Sequence, residues 1–320
     1  MIRVGFVGMN FHSHGPQIYK SILKQKGLFE VAGYCLPENE REKYPEKLAC
    51  LADLPERSLE EMLADPTIDA MVIETDEIHL TKYALLAARA GKHVHMEKPG
   101  GNDITLFEQL ISAMRESGKV FHTGYMYRYN PEVRSLLQQI EDGELGEIIS
   151  VEAQMNCFQS PRVREWLGKL PGGQMFFLGC HLIDLIYRIQ GAPKRITCLS
   201  PDNEYGFAVL EYEKGVSFAK THAAEKGGYA RRQLVVTGTE KTVELKPLEM
   251  GSESEMFTVC TEYESTSWGN RGESHESEHY DRYDFMMASF ADYVEGRREN
   301  PYTLDYELEL YRLVLMACGL

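Results

Sequence analysis

Residues 1–15, MIRVGFVGMNFHSHG, decide the fold. Ile2 to Val7 form a short apolar run with β-branched side chains, Gly8 follows at once, and Pro16 stands where a helix can begin. Strand, glycine turn and helix in that order open a dinucleotide-binding unit. Its turn usually reads GxGxxG: one glycine for the tight bend, one for close approach of backbone to pyrophosphate and one for helix packing. Here the three positions hold Gly8, Asn10 and Ser13, so the first glycine alone is kept. Asn10 tolerates a left-handed backbone at about 1 kcal/mol relative to glycine, and a phosphate can still rest on the amides that open the helix near Pro16. The turn predicts cofactor contacts at Gly8, Asn10, Phe11 and His12, with the His12 ring over the pyrophosphate or facing the nicotinamide.

Outward from this stretch the pattern repeats. FEVAGYCL (29–36), DAMVIE (69–74), KHVHME (92–97) and KVFHTG (119–124) read as strands, separated by helical runs at 16–27, 58–64, 79–91 and 104–118. Ser58 with Glu61 has capping-box spacing, and Gly91 and Gly118 stand where helices stop. Alternation of this kind predicts βαβ units and a doubly wound parallel sheet. At the end of the second strand, where an acid normally accepts from the adenosine ribose, Leu36 stands instead. Glu38 or Glu40 can reach in from the loop, and no arginine is placed for a 2′-phosphate, which favours NAD slightly over NADP.

Beyond residue 122 the texture changes. A helix at 131–143 opens on the cap-and-proline pair Asn130-Pro131, a strand-like run covers 146–158, a helix covers 181–191, and β-like runs follow at 195–200, 205–213, 216–224, 231–238 and 241–247. This predicts an α+β domain on a largely antiparallel, open-faced sheet. Residues 262–282 are polar and carry no period, which reads as a surface loop or lid, and two helical runs at 283–296 and 304–317 close the chain. The boundaries expected are 1–122 for the dinucleotide-binding domain and 123–320 for a domain that binds substrate and builds the oligomer.

The 320 residues suit two cores, and 43% apolar with 26% charged residues is the balance of a folded globular protein. With 34 Lys and Arg against 49 Asp and Glu, the net charge of −15 repels polyanions and argues against nucleic acid. No run of about 18 apolar residues is present to span a bilayer, and no secretory signal pattern opens the sequence, so a cytoplasmic protein without a membrane partner is expected. Seven cysteines without CxxC spacing suggest packing rather than disulfides or zinc. His12 with His14, and His275 with His279, are paired histidines with no evident third ligand, so no metal is expected.

The most specific stretch is AARAGKHVHMEKPGG (87–101). A helix ended by Gly91, a short strand and then Glu97-Lys98-Pro99 closely resembles the motif of the Gfo/Idh/MocA oxidoreductases. ETDEIHL (74–80), YRYNPEVRSLLQQIEDGELGEI (127–148) and GGQMFFLGCHLIDLIYRIQG (172–191) resemble further family segments in the family's order. The resemblance implies a Rossmann domain followed by an open-faced sheet domain with the active site between them, and commonly a homodimer or homotetramer. It places Glu74, Thr75, His79, Glu97 and Arg128 in the cofactor cleft. It puts Lys98 between nicotinamide and substrate, where a desolvated lysine can exchange a proton near neutral pH. His181 matches the general base, and Asp184, three residues on, can orient its ring.

In the family's sugar and inositol dehydrogenases an aspartate lies four residues before that histidine. This chain has Phe177. With Tyr125, Trp166, Phe176 and Tyr127 nearby in sequence, the change suits a flatter substrate, as in the dihydrodiol dehydrogenase branch. The expected activity is NAD(P)-dependent hydride transfer between nicotinamide and a secondary alcohol or ketone of a sugar, polyol or cyclic diol. An NAD-retaining lyase or glycosidase and a non-catalytic regulatory protein on the same fold are the alternatives.

Overall fold

The computed structural model describes residues 1–10, 14–252 and 254–320, which separate into two compact units. The first comprises Met1–Tyr125 and Tyr283–Tyr311, the second Met126–Arg282 and Arg312–Leu320. The expected division after residue 122 falls close to the first crossing. The closing segment goes elsewhere than expected: most of it returns to the first unit, so neither unit is one continuous stretch.

In the first unit, β1 (Ile2–Val7), α1 (Gly15–Lys24), β2 (Phe29–Cys35), α2 (Glu40–Lys43), α3 (Leu59–Ala64), β3 (Ala70–Ile73), α4 (Leu80–Arg89), β4 (His93–Met96), α5 (Ile104–Ser117) and β5 (Phe121–Thr123) follow in order. The five strands form one parallel sheet in the order β2-β1-β3-β4-β5. A single parallel bridge between Tyr34 and Glu56 stands beyond β2, a one-residue remnant where dinucleotide-binding sheets usually add another strand. All four residues of β3 are buried, as a parallel strand covered on both faces requires. Ser58 and Glu61 form the capping box the spacing predicts, and Gly118 caps α5 in the left-handed region.

The second unit holds α6 (Pro131–Glu141), β6 (Ile148–Asn156), α7 (Pro161–Leu167), α8 (Cys180–Gln190), β7 (Arg195–Cys198), β8 (Tyr205–Glu211), β9 (Val216–His222), β10 (Gln233–Gly238), β11 (Thr242–Leu245), β12 (Met250–Ser252), β13 (Glu255–Phe257), β14 (Val259–Tyr263) and β15 (Glu273–Glu276). Eight strands form the main sheet, β15-β14-β11-β10-β6-β9-β8-β7, antiparallel except where β6 runs parallel to β9. Along β8 and β9 fully buried residues alternate with half-exposed ones, the signature of a sheet covered on one face. The reading of 262–282 as wholly irregular is corrected here, because β15 lies inside it. All four β15 residues are exposed, and an edge strand solvated on both faces leaves no period in the sequence.

The last helices are α9 (Asp284–Val294) and α10 (Leu304–Ala317). Asp284 accepts from Ser21 Oγ at 2.6 Å and pairs with Lys24 at 2.6 Å, fastening α9 to α1. Glu307 accepts from Thr123 Oγ1 at 2.8 Å, and Tyr311 donates to the Gly101 carbonyl at 3.0 Å while its ring stacks on Phe107 at 4.3 Å. The fully buried Phe290 stacks on His122 with ring centres 5.2 Å apart and lies 5.8 Å from His95. Phe290→Ala is expected to destabilise the protein by about 3–5 kcal/mol through the cavity it leaves, read as a lowered denaturation midpoint.

Candidate active site

The residues with chemistry in the first unit stand at the carboxyl ends of its strands, where open α/β sheets bind ligands. Gly8 follows β1, Glu74 and Thr75 follow β3, Glu97 and Lys98 follow β4, and Gly124 and Tyr125 follow β5. The order reverses between β1 and β3, and there Gly8 is indispensable. Its φ is +87°, and a Cβ on it would fall 2.6 Å from Cβ of Thr75.

Asn10 is held differently from the expectation of a left-handed turn. Among the described non-glycine residues, positive φ occurs at Glu38 and Asn39 alone. Asn10 is fully buried and its amide donates to the Thr75 carbonyl at 3.2 Å, so the side chain ties the turn to the end of β3 in place of a glycine bend. Phe11, His12 and Ser13 lie outside the described residues.

Sequence weighed Glu38 and Glu40 as ribose acceptors, and the structure gives them different surroundings. The chain turns after β2 through Glu38 (φ 58°) and Asn39 (φ 59°) and sends Glu40 beneath the β1 turn. Glu40 is fully buried and accepts from the Met9 amide at 3.0 Å and from Thr75 Oγ1 at 2.5 Å. Burial pushes its carboxyl up to about 8. Glu38 accepts from Lys82 and Tyr83, each at 2.7 Å, lies 3.9 Å from His79, and is held down at about 2 chiefly by the Lys82 bond. Lys47 Nζ donates to the Asn10 carbonyl at 2.7 Å and so brings a cation to the same turn, which no sequence signal had singled out.

Lys98 and Glu97 are both almost wholly buried, with Nζ 3.8 Å from Oε1. A Cβ on Gly124 would come within 2.3 Å of the other Glu97 oxygen, so the absence of a side chain there makes room for the carboxylate. Two more buried acids belong to this region. Burial raises Glu77 to about 8 and raises Glu74 well above the usual carboxylate range, Glu97 adding to the Glu74 shift and the charge of Lys98 opposing both. Burial thus pushes Glu74 and Glu77 toward their protonated forms beside the Lys98–Glu97 contact. The two Glu74 oxygens have no hydrogen-bond partner among the described residues. The neighbouring His95, 3.7 Å away, is kept neutral by burial, which lowers it to about 3, so their approach is not an ion pair.

In the second unit, a π-helical turn, Met175–Gly179, leads into α8 and carries Phe177. A wider turn before His181 changes which residues share its face, so the i−4 spacing read from sequence no longer means one α-helical turn. Phe177 is buried and meets the half-buried Trp166 edge-to-face at 5.1 Å. His181 is buried against Tyr127, ring centres 5.0 Å apart and nearly perpendicular. The Tyr127 hydroxyl donates to Glu249, which also accepts from Arg232 Nη1 at 2.6 Å and from Arg282 Nε at 2.8 Å. None of these partners was predicted, because they meet only when distant parts of the chain fold together.

Asp184 takes three hydrogen bonds of 2.7–3.1 Å from the Arg128 guanidinium, with both residues buried. Asp184 is thereby paired with Arg128, a partner that sequence spacing does not indicate for either residue. Asn130 caps α6 by accepting from the Glu132 and Val133 amides at 2.9 and 3.2 Å. Tyr125 is buried at the end of the first unit's sheet.

Comparison with known proteins agrees with this architecture. Residues 2–125 match the model of the GFO_IDH_MocA oxidoreductase family with its NAD-binding Rossmann fold, and residues 133–244 match the GFO/IDH/MocA C-terminal domain. A 1,5-anhydro-D-fructose reductase of Ensifer adhaerens is 28% identical over 57% of this chain and 58% of its own. A trans-1,2-dihydrobenzene-1,2-diol dehydrogenase of Bos taurus is 27% identical over half of each chain. The chain thus spans about half the length of the curated relatives it matches. A 3-ketoreductase from Actinomadura kijaniata, solved with NADP and TDP-benzene, shares the fold at a TM-score of 0.77 and 18% identity, covering 98% of this chain and 95% of that one.

Two outcomes follow from these charges. Asp184→Asn leaves a buried guanidinium without its counter-charge and is expected to cost about 3–5 kcal/mol in denaturant unfolding; a residue engaged only in catalysis would leave unfolding unchanged. Glu40 and Glu77 have folded-state values near 8, above the ordinary carboxylate value of 4.5, so their stabilising contribution is complete below that value and is lost as pH rises toward 8. Glu40→Gln and Glu77→Gln are each expected to reduce the fall in melting temperature between about pH 5 and 8 relative to the parent protein.

Proposed function

The chain belongs to the Gfo/Idh/MocA oxidoreductase family, and from that premise we propose that it is an NAD(P)-dependent oxidoreductase acting on a secondary alcohol or its ketone in a sugar, polyol or cyclic diol. The observation that carries this reading is the buried Lys98–Glu97 pair in the EKPGG stretch at the carboxyl end of β4. A lysine buried among carboxyls is suited to carry a proton.

The residues present suit a dinucleotide. The Gly8 turn and the Lys47 ammonium offer groups for a pyrophosphate, no acid stands in the first turn of α1, and burial pushes the Glu74 carboxyl, without a hydrogen-bond partner among the described residues, toward its protonated, donating form. The charged Glu38 beside the end of β2 suits a ribose with free hydroxyls and disfavours a 2′-phosphate, so NAD is the preferred form. The bound nicotinamide supplies hydride acceptance and donation. Lys98 holds the reacting oxygen and passes its proton, Glu97 fixes the ammonium, and His181, braced by Tyr127, acts as the base. The ion pair of Arg128 with Asp184 anchors α8.

Phe177 and Trp166 form an aromatic corner that gives a flat ring substrate more contact than a polyol, which directs a first screen to cyclic diols and keto sugars. A cytoplasmic homo-oligomer formed through the open sheet face, where Phe207 stacks on Phe218 at 5.4 Å, completes the reading. Lys98→Met is expected to lower turnover by about 10²–10⁴-fold with the fold intact by circular dichroism. Turnover within a few-fold of the parent protein would remove Lys98 from the chemistry.

A further inference from the structure

The sheet edge of the second unit carries a cluster that hydride transfer does not use. Cys260 on β14 and His275 on β15 are direct cross-strand partners, so their side chains share a face of the sheet. Glu132, in the first turn of α6, lies over them, and its Oε2 is 3.2 Å from His275 Nε2. The thiol sulfur, an imidazole nitrogen and a Glu132 oxygen all lie within 4.8 Å of one another. Tetrahedral zinc with bonds of about 2.0–2.3 Å sets its ligand atoms roughly 3.3–3.8 Å apart, so side-chain adjustments of an ångström or so bring the three into place.

We propose that Glu132, Cys260 and His275 bind a zinc-class divalent cation, with a fourth position open to water. Sulfur, nitrogen and oxygen donors in one tetrahedral set suit zinc and cobalt(II) and exclude the hard cations calcium and magnesium, which take oxygen alone. The placement gives the ion a structural task. The four residues of β15 are exposed, it stands at the edge of the sheet beside β14 among the described residues, and a shared ion pins it to β14 and to α6.

The surroundings are consistent with a cation. Glu262, two residues from Cys260 on β14, adds negative charge, and the Lys241 ammonium is engaged by Glu262 at 2.8 Å and Glu144 at 3.3 Å. Gln139, two turns along α6 from Glu132, donates to Glu262 at 3.0 Å and keeps the helix over the strand. Coordination replaces the Cys260 S–H bond by a sulfur–metal bond, and the proton goes to solvent. The HxxxH reading of His275 with His279 does not describe this site. His279 stacks on Phe257 at 5.6 Å and lies 3.7 Å from Glu276.

The test is titration of the chelator-stripped, full-length protein with Co²⁺, followed by absorbance. One Co²⁺ per chain with a near-ultraviolet thiolate-to-cobalt charge-transfer band, displaced by Zn²⁺, is the expected result. Cys260→Ser should remove the band, and His275→Ala, on an exposed strand where folding is not at stake, should weaken binding by about tenfold or more. Absence of the band in the parent protein, or a band and affinity unchanged by His275→Ala, overturns the site whatever the serine variant does.

Discussion

The burial of one ammonium among three carboxyls is the constraint on which the rest of the site depends. Lys98 and Glu97 lie near Glu74 and Glu77 where water is nearly absent, and four charges cannot persist there. Burial eases the conflict by pushing Glu74 and Glu77 toward their protonated forms, beside the Lys98–Glu97 contact of 3.8 Å. Strand ends hold these groups at fixed separations, Gly124 makes room for the Glu97 carboxylate, and the Tyr311 bond to the Gly101 carbonyl holds the loop after Pro99. The cost of burying this polar cluster is the physical basis on which Lys98 is proposed as a proton carrier.

A second consequence concerns the β1 turn. Two of its three customary glycines are replaced, and side chains hold the described part of the turn, residues 8–10. Asn10 reaches the Thr75 carbonyl, Glu40 supports the Met9 amide from below, and Lys47 holds the Asn10 carbonyl. A glycine turn is cheap in sterics, whereas this one is held by buried hydrogen bonds and by a carboxyl that prefers its proton. The pH dependence of the folded state is thereby linked to the shape of the turn.

Much of this architecture was legible in the sequence. Period and punctuation located the five parallel strands and helices α1, α3, α4 and α5, because a strand buried on both faces is a continuous apolar run and α4 and α5 are followed by the left-handed Gly91 and Gly118. EKPGG marked Lys98. What escaped was of three kinds. The β15 edge strand has no buried face and hence no period, and the π turn at Met175–Gly179 reads as ordinary helix because its residues are all apolar or small. The Arg128–Asp184 pair and the Tyr127–Glu249–Arg232 network join residues far apart in sequence, which no local spacing reveals. The return of Tyr283–Tyr311 to the first unit is likewise a matter of packing, set by Asp284, Glu307 and Phe290.

Whether a turn rebuilt from Asn10, Glu40 and Lys47 still receives a dinucleotide is decided most directly by calorimetric titration of the pure protein with NAD, NADH, NADP and NADPH in turn. Saturable binding of at least one of the four, at one nucleotide per chain and tightest for an unphosphorylated form, is the outcome this account requires. Absence of binding heat with all four across several temperatures would contradict it and leave the fold as one that has given up its cofactor.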